Sequence, residues 1–373
     1  MAECIKCLMD TEYGGSIRID RSGLCNQCID FVKNVRNRTK SGSEGEQALR
    51  KIVINNRQRH SNNEYDCILG ISGGVDSCFL AHSAVKFGFK PLLVHVDNGW
   101  NTPTSVGNIE KIVDGLNLDL VTYVLDFEEF SSLQRAFLKA SVPDGEIPTD
   151  FAIQVLLWKA AREHGVKTIL TGMNYFTESG HIPEWSYGHS DWKYINAINE
   201  AFGDRPLNSY PKMTLPDLFK FTYLRNIKRV SMLNYLDYER VAAEKVLVEN
   251  YDWEKYVGKH NESTYTKFYQ EIVLPSKFGI DKRILHLSDL IRANQMTKVQ
   301  AKEILSKDFS SSASKERILI KYILKRLALS ESEFQVIMND KNQLYSDFPN
   351  NSRYVSAIRA IIQILRKFKM YPH

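Results

Sequence analysis

Between residues 65 and 171 the chain alternates short apolar runs with longer stretches of helical spacing. Asp66-Cys67-Ile68-Leu69-Gly70-Ile71, Pro91-Leu92-Leu93-Val94-His95-Val96, Asp119-Leu120-Val121-Thr122-Tyr123-Val124 and Lys167-Thr168-Ile169-Leu170-Thr171 each hold an apolar centre of strand length. Runs this short, bounded by glycine or polar residues, predict strands buried on both faces. The segments 77–87, 106–116 and 151–164 return apolar residues every three or four positions and predict helices. Strand and helix in alternation predict an α/β protein with a doubly wound parallel sheet. Its ligand crevice then lies at the carboxyl ends of the strands, where 70–77, 97–101 and 172–178 fall.

Beyond about residue 205 the strand pattern fades. Helical spacing predicts helices over 218–236, 238–249, 285–293, 298–305, 316–327 and 353–367, and no repeat interrupts them. Upstream, residues 1–30 are framed by cysteines and are too short to fold on an apolar core alone. The stretch 31–62 reads as a helical connector in which Ala48, Leu49, Ile52 and Val53 form one stripe. The expected organisation is therefore 1–30, 31–62, an α/β domain over 63–205 and a mostly helical region over 206–373.

Composition narrows the class. Of the 373 residues 43% are hydrophobic, enough for a large core, and no apolar run reaches the roughly 20 residues of a membrane helix. The first residues lack the basic-then-apolar order of a secretion signal, so the cytoplasm is the expected compartment. A net charge of +5 is small against 49 basic and 44 acidic side chains, which suits a phosphate-bearing substrate better than a nucleic acid. Lys321, Lys325, Arg326, Arg366, Lys367 and Lys369 are the densest cations and read as solvated helix faces.

Two motifs carry chemistry. Cys4-x-x-Cys7, seventeen residues and Cys25-x-x-Cys28 have the spacing of a four-thiolate zinc ribbon, and four sulfur ligands leave the metal no open position. A structural Zn²⁺ is expected there, whereas Cys67 and Cys78 are expected to be buried, inert thiols. The second motif is Ser72-Gly73-Gly74-Val75-Asp76-Ser77, placed between a strand and a helix. Its glycines let backbone N–H groups approach an anion, the helix start adds its positive end, and Ser72 and Ser77 add hydroxyls. Asp76 would repel a bare phosphate, so it belongs either near Mg²⁺ or at the helix cap. Neither the nucleotide motif of ordinary kinases nor that of dinucleotide enzymes occurs.

At these residues the sequence resembles the PP-loop ATP pyrophosphatases, which split ATP between its α and β phosphates. The resemblance implies that Leu69, Gly70 and Val96 line the adenosine and that Gly172 lies beside the nucleotide. Downstream, Gly258-Lys259-His260-Asn261-Glu262-Ser263, Phe268-Tyr269-Gln270, 274–283 and Leu287-Ser288-Asp289-Leu290-Ile291 resemble the N-acetyl sugar amidotransferases of surface polysaccharide synthesis. That family implies adenylation of the N-acetyl oxygen of a UDP- or CMP-linked sugar and its replacement by ammonia, giving an acetamidino sugar for O-antigen or nonulosonic acid synthesis. Ammonia would come from a partner glutaminase, with or without a cyclase-like channel subunit, since four cysteines are committed to metal and two lie in the sheet region.

Within those segments Lys277, Lys282 and Arg283 are candidate cations around phosphate, against a solvated basic turn after Pro275. Lys259, His260 and Glu262 are candidates to orient the substrate or to shuttle a proton, against a plain surface loop. Asp150 and Glu178 suit Mg²⁺ or a sugar hydroxyl, with helix capping the alternative for Asp150. The loop 185–192, with Trp185, Tyr187 and Trp192, would stack on a sugar or base, pack the core or meet a partner. A tRNA-thiolating enzyme with the same adenylation, and a non-enzymatic zinc-ribbon scaffold, are the competing readings.

Overall fold

The computed structural model describes residues 2–187, 189–256, 262–307 and 313–356. Five parallel strands form one sheet in the order β3-β2-β1-β4-β5: β1 (Cys67–Gly70), β2 (Pro91–Asp97), β3 (Leu120–Val124), β4 (Thr168–Thr171) and β5 (Lys228–Ser231). β1 pairs with β2 from Cys67↔Pro91 to Gly70↔Val94 and with β4 at Ile68↔Ile169 and Leu69↔Leu170. The order reverses between β1 and β4, which places the switch point above the loop that follows β1.

Helices cover both faces. Before the sheet come α1 (Asn26–Arg38) and α2 (Gly42–Arg59); within it come α3 (Val75–Phe87), α4 (Pro103–Leu116), α5 (Phe127–Lys139) and α6 (Ile147–Glu163). After β4 follow α7 (Trp192–Phe202) and α8 (Leu215–Phe219), and after β5 come α9 (Arg240–Tyr251), α10 (Thr264–Phe268), α11 (Lys282–Arg292), α12 (Lys298–Leu305), α13 (Ala313–Arg326) and α14 (Glu331–Asn339). Alternate side chains along each strand enter opposite clusters. Leu69, Leu93 and Leu170 join Leu80, Ile109 and Leu247 on one face. Ile68, Val94, Val96 and Ile169 join Phe130, Phe137 and Phe151 on the other.

Local chemistry sets the boundaries. Thr102 accepts a hydrogen bond from Ser105 N to cap α4 ahead of Pro103, and Asp126 accepts one from Glu129 N to cap α5. α3 stops at Gly88, whose φ of 94° closes a left-handed cap.

The expected helix over 218–236 is formed only as far as residue 224. After α8 the chain makes one wide turn over 220–224 and then supplies β5, which pairs in parallel with β4 from Thr168↔Lys228 to Thr171↔Ser231. A strand with Lys228 and Arg229 exposed at the sheet edge carries no apolar run to announce it. The expected helix over 353–367 extends past residue 356 and so lies outside the described residues for most of its length. Among the described residues no helix is long and apolar enough to cross a membrane.

Candidate functional site

The four N-terminal cysteines converge. The sulfur atoms of Cys4, Cys7, Cys25 and Cys28 all lie within 4.8 Å of one another, with Cys4–Cys28 at 3.8 Å and Cys7–Cys25 at 3.6 Å. Four sulfurs at about 2.3 Å from a tetrahedral zinc have edges of about 3.8 Å, so the frame fits that ion. It does not fit disulfides, which need sulfurs about 2.05 Å apart. Backbone amides already point at the sulfurs: Cys25 N donates to Cys4 Sγ at 3.3 Å and Cys28 N to Cys25 Sγ at 3.4 Å. The unit is docked on the C-terminal helices, where Leu8 N donates to Ser288 Oγ and Lys298 Nζ to Cys4 O.

The second centre lies at the switch point. Ile71 N donates to Val94 O, which carries the chain straight out of the sheet into Ser72. Gly73 has φ of 81° and sits so close to Ser105 that an added Cβ would stand 2.4 Å from that residue's carbonyl oxygen. No other residue fits a left-handed position this tight. The Gly73 carbonyl is turned away from the crevice, where it accepts from Trp253 Nε1 at 3.0 Å and Tyr256 Oη at 3.3 Å. Ser72 and Ser77 close the loop on itself, Ser72 N donating to Ser77 Oγ at 3.2 Å and Ser77 Oγ to Gly74 O at 3.1 Å. α3 begins at Val75, so its positive end faces the same space.

A cavity of about 230 Å³ opens there, lined by Ser72, Gly74, Val75, Asp76, Ser77, Gly172, Met173, Glu178, Arg240 and Glu262. Of the residues expected from sequence, the loop, Gly172, Glu178 and Glu262 are thus brought together. Glu262 reaches over the loop, since a Cβ on Gly74 would stand 2.6 Å from its Oε1. Glu178 is held by an Asn174 turn, in which Asn174 Oδ1 accepts from Phe176 N and Thr177 N. Asp76 accepts a hydrogen bond from the Tyr238 hydroxyl. Burial and the neighbouring Asp76 charge push the Tyr238 phenol well above its ordinary range.

Arg240, Tyr238 and Trp253 were missed by the sequence reading. They come from a stretch with helical spacing and no motif, more than 160 residues after the loop they meet. Arg240 is one-fifth exposed at the first position of α9 and pairs with Glu244 at 3.1 Å.

The other expected residues lie elsewhere. Lys277 Nζ donates to Ile337 O at 2.6 Å and Asp340 O at 2.8 Å, which ties it to α14. Lys282 pairs with Glu146 at 2.8 Å, and Arg283 pairs with Asp281 and donates to Lys307 O. Lys277 and Arg283 thus satisfy groups of the helical region, Lys282 reaches Glu146 at the start of α6, and none of the three lines the crevice. Lys259 and His260 lie outside the described residues.

Leu69 and Val96 face opposite sides of the sheet, each within a core cluster. Gly70 packs against Leu157. Asp150 does not cap α6; it lies in its first turn and pairs with His189 Nδ1 at 3.1 Å. In the aromatic loop, Trp185 packs edge-on against Tyr13 of the cysteine unit and Trp192 stacks on Phe151 and Tyr210, so both serve packing. Cys67 and Cys78 are fully buried; burial pushes the Cys78 thiol up to about 12 and holds Cys67 well above its usual range.

Comparison with solved structures finds the predicted subunit of tRNA methyltransferase from Methanocaldococcus jannaschii, at 16% identity over 49% of this chain and 73% of that one, with a TM-score of 0.28. NMN synthetase from Francisella tularensis is found at 15% identity over 61% of this chain and 91% of that one, also with a TM-score of 0.28. No curated protein matches the chain. Residues 262–362 match the family described as LPS biosynthesis protein WbpG-like, C-terminal domain. That match starts at Glu262, the residue reaching over the loop 72–77, and takes in the helices on which the cysteine frame is docked.

Proposed function

We propose that the chain is an ATP-dependent amidotransferase of lipopolysaccharide synthesis, forming AMP and pyrophosphate. It adenylates the N-acetyl oxygen of a nucleotide-linked sugar and replaces that oxygen with ammonia from a partner glutaminase. The observation that carries this reading is the crevice itself: a glycine loop with its Gly73 carbonyl turned out, facing, among the described residues, the cation Arg240 and the carboxylates Asp76, Glu178 and Glu262. The WbpG-like match supports the pathway, and the loop supports the nucleotide.

The outer phosphates of ATP lie over the amides of Gly73 and Gly74, with the Ser72 and Ser77 hydroxyls and Arg240 against the departing pyrophosphate. Mg²⁺ between Asp76, Glu178 and Glu262 would offset the charge that builds on it. The amide oxygen attacks the α-phosphorus and the bond to pyrophosphate breaks. Ammonia then adds to the imidate carbon, gives up a proton to a crevice carboxylate, and the C–O bond breaks to release AMP. The Cys4 frame holds a structural Zn²⁺ and takes no part in these bonds.

The test is incubation with ATP, Mg²⁺, ammonium and a panel of UDP- and CMP-linked acetamido sugars. A sugar product lighter by about one mass unit, oxygen exchanged for NH, should appear together with AMP. Accumulation of ADP, or AMP formation that requires tRNA and leaves every sugar unchanged, would sink the reading.

A further inference from the structure

One buried chain of contacts joins the cysteine frame to the crevice. Arg292, in the last turn of α11, is 2% exposed. Its Nη1 lies 3.8 Å from Cys7 Sγ and its Nη2 lies 2.6 Å from Asp289 Oδ1. Asp289, equally buried, accepts from Ser179 Oγ at 2.5 Å and from Gly180 N at 3.2 Å. Ser179 directly follows Glu178, a wall of the crevice. The approach is close: a Cβ on Gly180 would stand 2.7 Å from Arg292 Nη2.

A guanidinium this deep requires negative charge around it, since an unpaired buried charge is strongly destabilising. Asp289 supplies one charge. The second comes from the frame, because four thiolates around a divalent ion carry a net charge of about −2, which neutral thiols without metal do not. A lateral clamp acts beside this line. Gln27 of α1 donates to His181 O at 2.6 Å and accepts from His181 N at 3.3 Å, while Glu184 accepts from Ser16 N and Oγ. Residues 179–184 therefore rest on the cysteine unit.

We propose that Arg292 is a positioning residue that couples metal binding at the cysteine frame to the order of the crevice loop 172–180. The metal–thiolate group fixes Arg292, Arg292 fixes Asp289, and Asp289 fixes the Ser179 hydroxyl and the Gly180 amide, which sets the Glu178 wall. Such a coupling is reciprocal: whatever loosens the loop must also loosen the metal. This role is independent of which acceptor the enzyme uses, and its test needs no turnover.

The deciding variant is Ser179→Ala in the full, zinc-loaded chain, because Ser179 touches no sulfur. Zinc affinity, measured without nucleotide by equilibrium competition with a chromogenic chelator, should fall roughly fivefold or more relative to the parent. In Arg292→Met, backbone hydrogen exchange across 172–182 should rise to the level of the chelator-stripped parent. Parent-level zinc affinity in Ser179→Ala overturns the proposal. So does parent-like protection of 172–182 in Arg292→Met; if that variant fails to fold, the Ser179→Ala affinity decides alone.

Discussion

Arg240 shows how the crevice differs from what its motif announces. The loop 72–77 is legible because it sets a strand end, paired glycines and a helix start in immediate succession. The cation opposite has no such pattern, and it arrives from a helix more than 160 residues later. Lys277, Lys282 and Arg283 look like an anion site by composition, yet Lys277 and Lys282 find their partners Ile337, Asp340 and Glu146 far away in sequence, and Arg283 is taken up by Asp281 two residues before it. Arg240→Ala should lower the rate of AMP formation roughly 100-fold or more, the usual effect of removing a fixed donor from developing charge. Arg240→Lys should recover only part of it, lacking the planar fork; parent-level turnover in Arg240→Ala would exclude the residue from the reaction.

Two residue-level predictions follow from burial and pairing. Cys67 and Cys78 are inaccessible and their thiols hold their protons, so iodoacetamide at pH 8 should label neither in the native chain and both after denaturation. Burial alone would lower the His189 pKa, but the hydrogen bond to Asp150 and its charge raise it above 6.5. The folded value is the higher, so the pair's contribution is fully present below about pH 6.5 and is lost as pH rises through the folded value. Both side chains are about half exposed, which limits the effect to about 0.5 kcal/mol. His189→Ala should therefore lose its stability difference from the parent between pH 6 and pH 8.5 in denaturant unfolding.

Among elements, central β1 and β2 declare themselves through uninterrupted apolar residues, because both of their faces are covered. β5 is an edge strand with charged Lys228 and Arg229, and its register comes from pairing with β4 rather than from its own pattern. Helical spacing was read through it for the same reason. The cysteine frame was legible as a ligand set, but its docking on α11 and α12 was not, since Ser288, Arg292 and Lys298 look like ordinary polar helix positions. At the loop between β1 and α3, Gly73→Ala must adopt a left-handed conformation and meet the Ser105 carbonyl, at a cost above about 1 kcal/mol. The variant should melt several degrees below the parent and form no AMP; a soluble, fully active Gly73→Ala would mean that the loop opens away from Ser105.

On the scale of the whole molecule, the helical region is part of the site. It sends Glu262 and Arg240 to the loop 72–77 and Ser288, Arg292 and Lys298 to the cysteine frame. The sheet also needs it, since β5 follows residue 205. A fragment ending at 205 would bare the β4 edge and the apolar faces of Met232 and Leu233's neighbours, and should be recovered aggregated. Finally, the indole of Trp253 is hydrogen-bonded to the peptide group of Gly73, at the tight turn of the loop beside the crevice. That makes the chain its own optical sensor: its intrinsic emission should change when the crevice fills, and Trp253→Phe should silence that signal.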